Sequence, residues 1–137
     1  LIKYAILADH ARVDGDAAHL LGASPIVPVP AVPWARPFAL LVELLFTQEK
    51  CGAEQLLTII STAPSGQTHL TMEVRTTPIW PPVPPPGAVV RVVMAINGLL
   101  PIAELGDHLI QLALDQSEPY KINYRVVTPP PVATETS

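Results

Sequence analysis

Thr68-His69-Leu70-Thr71-Met72-Glu73-Val74-Arg75-Thr76-Thr77 carries the cleanest period of two in this chain. Leu70, Met72 and Val74 fall on one side, and His69, Thr71, Glu73 and Arg75 on the other. That pattern predicts an antiparallel strand with one face on a core and one in water. The same period runs through residues 38–47, where Phe38, Leu40, Val42, Leu44 and Phe46 share a side. Residues 88–97 repeat it with Val90, Val92, Met94 and Ile96, and residues 119–128 with Tyr120, Ile122, Tyr124 and Val126. Further short apolar or alternating runs at 3–10, 18–24, 54–62 and 107–115 are each bounded by turn residues. Asp14-Gly15 suits a hairpin turn because both residue types tolerate positive φ. Eight runs of this kind, with at most one helical turn at 101–105, predict an all-β fold. The expected architecture is a two-layer antiparallel β-sandwich of about seven to nine strands, immunoglobulin-like in outline.

Composition agrees. Seventeen prolines in 137 residues exclude a helical bundle, since each would break or kink a helix interior. Eleven of them lie in two stretches, residues 25–37 and 78–87, which read as proline-rich straps in extended conformation. An apolar share of 49% excludes disorder along the whole chain. The length fits one domain, residues 1–128, followed by an aperiodic tail at 129–137 that should be flexible or extended.

Charge narrows the possible functions. The eight Lys and Arg residues are scattered singly and the net charge is −4. Nucleic acid and anionic membrane surfaces both demand clustered cations, so neither is an expected partner. No apolar run approaches the roughly 20 residues that span a bilayer, so no membrane insertion is expected. A lone cysteine, Cys51, excludes an intramolecular disulfide. No leader-like segment opens the sequence, and the expected location is cytoplasmic.

The order of pieces is also informative. Ala5-Ile6-Leu7-Ala8-Asp9-His10-Ala11-Arg12-Val13 leads through an Asp-Gly turn to Leu20-Leu21-Gly22. A proline-rich strap precedes Phe38-Ala39-Leu40-Leu41-Val42, and Pro84-Pro85-Pro86-Gly87 precedes a valine-rich strand. Asn97-Gly98-Leu99, Leu100-Pro101 and a closing hairpin follow. Over roughly residues 4–127 this resembles a family of small bacterial proteins, often actinobacterial, catalogued as a domain of unknown function. The resemblance implies a β-sandwich and carries over no functional residue, because its motifs are turns and strand ends. At the closing hairpin, Leu105-Gly106-Asp107-His108 stands where the family usually has Pro-Gly-Arg-Tyr.

Several constellations bear on chemistry. Asp9, His10, Asp14, Asp16 and His19 crowd the first hairpin but lack the spacing of a zinc motif, and read as turn formers and surface residues. Cys51 and His69 would make a nucleophile–base pair only with an orienting third group, and no GxSxG elbow exists. Glu43 and Glu73 are conceivable paired carboxylates, yet both fall on the outward phase of their strands. No glycine-rich loop is placed to hold phosphate, and no cofactor or metal is expected. Trp34 and Trp80 each sit inside a proline strap, as a lid on the sandwich or as a platform for a carbohydrate or peptide ligand.

A deficit of polar residues supplies the leading expectation. Leu41, Leu45, Val89, Val93 and Leu109 occupy the phase opposite the inward set, where a solvated sheet should be polar. Large apolar patches usually mark interfaces. The sequence therefore predicts a non-enzymatic interaction or structural module that self-associates or docks on a protein partner. The expected contact residues are Leu41, Glu43, Leu45, Val89, Arg91 and Val93, and the alternative is a ligand-binding module using Trp34 and Trp80.

Overall fold

The computed structural model describes residues 1–129 apart from Asp16 and Gln116. The expected tail therefore lies outside the described residues from position 130 onward. The strands in chain order are β1 (Ile2–Ala8), β2 (His10–Asp14), β3 (Ala17–Leu21), β4 (Ile26–Pro28) and β5 (Trp34–Phe46). They continue with β6 (Gln55–Thr62), β7 (Thr68–Thr76), β8 (Val90–Ile102), β9 (Gly106–Leu114) and β10 (Tyr120–Val127). The fold is all-β. One sheet has the order β1-β5-β8 and the facing sheet the order β4-β10-β9-β6-β7, while β2 and β3 pair only with each other.

The period of two does what the sequence implies. Phe38, Leu40, Val42 and Leu44 of β5 meet Leu57 and Ile59 of β6, Ile110 and Leu112 of β9, and Tyr124 and Val126 of β10. All ten are at most 3% exposed. At about 25 cal/mol per Å² of apolar surface, this shared inner layer is the dominant favourable contribution to the fold.

Four features differ from the expectation, each for a local reason. First, β5 begins at Trp34, inside the strap, and runs through Pro37. There β1 has already ended at the Ala8–Ala39 pair, so β5 has β8 as its single neighbour, a place where proline is tolerated. Second, β8 does not stop at Asn97 but continues to Ile102, and no helical turn forms over 101–105. Gly98 sits opposite Phe38, and a Cβ there would lie 3.2 Å from the Phe38 ring. The glycine makes room for an aromatic ring instead of a turn. Third, the strap at 25–37 contributes β4, which pairs in parallel with β10 through Ile26–Arg125, Val27–Val126 and Pro28–Val127. The second sheet is thus not wholly antiparallel.

The fourth difference concerns the apolar outer face. Residues 3–10 were expected to form one strand, but the chain breaks at Asp9, and β2 departs to pair with β3. This hairpin folds back over the outside of the β1-β5-β8 sheet. Ala11, Val13 and Leu20 pack on Ala39 and Leu41, leaving Ala11 2% and Leu41 3% exposed. Part of the face that lacked polar residues is covered by the chain itself.

Candidate functional site

Register places five of the six expected contact residues on one outer face, and Val89 lies just ahead of the ladder. Val93 lies opposite Glu43 and Arg91 opposite Leu45, with Leu41 two residues along β5. They are not equally available. Leu41 is beneath the hairpin, and Glu43 is 2% exposed, accepting from the Arg91 guanidinium and lying 3.7 Å from the Lys3 ammonium. Leu45, Val89 and Val93 are half-buried, and Arg91 is exposed.

The other candidates are kept apart. Glu43 and Glu73 project from opposite outer faces of the sandwich, and Glu73 lies near Arg75. The Cys51 thiol donates to the Thr47 carbonyl near the end of β5, whereas His69 lies at the start of β7, beside the far end of β6. Asp9 pairs with Arg36 at 2.8 Å, and Asp14 with Arg12 at 2.9 Å. His19 stands 3.7 Å from Asp14, and Asp16 lies outside the described residues. Among the described residues, no three His, Cys, Asp or Glu side chains gather as a metal site requires.

The two tryptophans also separate. Trp34 starts the 13-residue β5 opposite Ile102. Trp80 follows Pro78, whose carbonyl is bonded by Gly52, near the Phe46–Val90 pair at the other end of that ladder. At about 3.3 Å per residue the two ends are roughly 40 Å apart, so one site cannot use both indoles. Trp34 does line a groove of about 550 Å³ at its own end of the sandwich. The groove runs between the end of β8 (Pro101, Ile102, Ala103) and the entry to β7 (Gln67, Thr68, His69), with Pro33 and Ala35 beside the indole. Trp34 is 46% exposed although it belongs to the inward phase of β5, so it does not act as a closed lid.

Behind the groove lies a string of buried polar side chains. His69 was expected on the solvated side of its strand. Pairing slips between Ser61–Leu70 and Thr62–Thr68, leaving His69 in a bulge, and its side chain is only 9% exposed. A bulge re-aims a side chain that strict alternation would send outward. The His69 Nε2 atom is 3.6 Å from Glu104 Oε2, and that carboxylate is held by the Ser65 hydroxyl at 2.5 Å and the Ser65 amide at 3.3 Å. The His69 ring lies 6.2 Å from that of His108, which stacks on Tyr124 at 5.0 Å. The Tyr124 phenol meets the Ser61 hydroxyl at 2.8 Å. Burial holds the Tyr124 proton on, raising its pKa above the ordinary value, and the Ser61 bond offsets part of that.

Hydrogen bonding along this string is incomplete. His108 Nδ1 faces the Gly106 carbonyl at 3.0 Å and must donate to it, because a carbonyl only accepts. Its Nε2 has no partner, nor has either ring nitrogen of His69. Among the described residues these three are the buried side-chain nitrogens and oxygens left unpaired. Each such atom costs about 1–3 kcal/mol, which for His69 Nε2 the Glu104 carboxylate at 3.6 Å offsets in part.

Sequence reasoning found Trp34 and the phase of Tyr124, but missed Gln67, Thr68 and Glu104. No local signal marks those three, which become neighbours only through the pairing of β7 with β6 and the reach of β8 to Ile102. A comparison with curated proteins returns no match. A family model, by contrast, covers almost all of the described sandwich, from residue 3 in β1 to residue 127 at the end of β10. The chain belongs to the family of unknown function DUF6941, matched over residues 3–127.

Proposed function

We propose that this protein is a non-enzymatic binding module of the bacterial cytoplasm that takes a ligand in the Trp34 groove. One observation carries the reading: the unpaired buried nitrogens all belong to His69 and His108, directly behind a groove with an exposed indole. Glu104 stands 3.6 Å from His69 Nε2, so His69 Nδ1 and His108 Nε2 are the atoms left for a ligand group or an ordered water to pair. Stability supplies no reason to keep them, and binding does. The arrangement also argues against acyl transfer, because the Ser65 hydroxyl donates to Glu104 and not to a histidine. A fragment screen by amide-detected NMR tests the reading. Hits should perturb the Trp34 indole N–H together with the Gln67 and Thr68 amides. Hits that gather elsewhere and leave those three signals still would overturn it.

A second reading keeps the outer face as a contact surface. It rests on Leu45, Val89 and Val93, which stay half-exposed around Arg91. A second copy or a protein partner laid on that strip would complete their burial. Val93→Lys should then lower the mass seen by light scattering at micromolar concentration. A monomer in both forms would exclude self-association.

A further inference from the structure

The lining of the groove restricts the chemistry of what it holds, and this step rests on the groove being the ligand site. We infer that the ligand is a neutral sugar ring stacked by one face on the Trp34 indole. The lining residues include no Lys, Arg, Asp or Glu. A phosphate or carboxylate brought against the indole would lose water without gaining an opposite charge, which is costly, and an amine would gain the indole's π face but no carboxylate among the lining residues. The ligand is therefore uncharged. It must also be two-sided, since an indole offers an apolar face while Gln67, Thr68 and His69 offer polar groups beside it. A pyranose has that division, with C–H groups across its face and hydroxyls around its edge.

The polar groups separate a sugar from a proline-rich peptide, the other common ligand of an exposed tryptophan. The Gln67 amide, the Thr68 hydroxyl and the His69 imidazole each donate and accept. Sugar hydroxyls do both and can pair directly with the exposed Gln67 and Thr68, and with the buried His69 nitrogens after a small shift of the ring. A polyproline segment has carbonyl acceptors and no N–H, so the acceptor half of each group would stay unpaired. His69 makes that difference matter, because its side chain is 9% exposed and neither ring nitrogen has a partner. Glu104, fixed by Ser65, stands 3.6 Å from Nε2, which leaves Nδ1 as the ring nitrogen most in need of a partner. A groove of about 550 Å³ is in the size class of small-molecule sites and leaves space for more than one ring.

The test uses the full chain on a printed array of neutral, anionic and amino glycans that also carries hexaproline spots. Any neutral glycan retained is then titrated in solution against Trp80→Phe, which leaves Trp34 as the single indole reporter. The expected result is retention on neutral glycans, a saturable change in Trp34 emission, and affinity roughly tenfold weaker or worse in Trp34→Ala. His69→Ala should weaken binding while the Trp34→Phe replacement retains part of it. Retention on hexaproline alone, or on charged glycans alone, would overturn the sugar assignment and leave the groove as the site. Neutral-glycan binding that survives Trp34→Ala undiminished would overturn the placement. Retention on no glycan would overturn the assignment, with the fragment screen deciding separately whether the groove binds anything.

Discussion

The Asn97 carboxamide grips the backbone of Ala11 from both sides. Its Nδ2 donates to the Ala11 carbonyl at 3.1 Å, and its Oδ1 accepts the Ala11 amide at 3.4 Å. In this way one side chain of β8 imitates a strand neighbour for β2 and fastens the hairpin onto the outer face of the sheet. Asn97→Ala should cost about 1–2 kcal/mol in urea unfolding. Hydrogen exchange should quicken across residues 10–21 more than in β5. Equal acceleration in both would mean that the hairpin is not a separately held cover.

The buried Glu43 depends on its cations. Arg91 is 52% and Lys3 58% exposed, while Glu43 is 2% exposed. Arg91→Ala should destabilise by about 2 kcal/mol, less than the ~3–5 kcal/mol for breaking a fully buried pair, because water reaches the guanidinium. The combined Glu43→Leu and Arg91→Leu variant should recover most of that loss, since no charge is then stranded. Thermal unfolding of the three proteins checks the order.

Burial of Tyr124 makes stability fall at alkaline pH, and its bond to Ser61 moderates that fall. Burial raises the Tyr124 pKa above 10.0, its ordinary value, and the Ser61 bond lowers it in part. Below about pH 10 the folded and unfolded chains both keep the phenol proton. As pH rises past that value the unfolded chain releases it first, so the folded state binds more protons and stability falls with pH. Tyr124→Phe should flatten that alkaline decline in pH-dependent urea midpoints, while costing about 1–2 kcal/mol at neutral pH through the stranded Ser61 hydroxyl. An unchanged alkaline slope would show that Tyr124 does not govern it.

Much of the sandwich was legible in the sequence, because a two-residue period written in Phe, Leu, Ile and Val leaves little choice of face. The core phase of β5, β9 and β10 follows directly from it. What escaped was set by pairing and not by pattern. Asn97-Gly98 has the composition of a turn, but the Phe38 ring opposite turns the glycine into a strand residue. Leu41 reads as a surface residue in need of a partner until the break at Asp9 sends the hairpin over it. His69 is the sharpest case. Its alternation places it in water, and a one-residue slip against β6 buries it. That slip has no mark in the residue types, and it makes the feature on which the functional reading rests.

The four histidines allow the most direct test. His10 and His19 belong to the surface hairpin, while His69 and His108 stand behind the groove. Long-range nitrogen–proton NMR resolves the ring signals of all four during titration with a neutral oligosaccharide retained by the array. The account requires saturable shifts of the His69 ring and the Trp34 indole N–H in step, with His10 and His19 unmoved. Ligand binding that leaves His69 and Trp34 in place while shifting the hairpin histidines or the outer-face amides would contradict it.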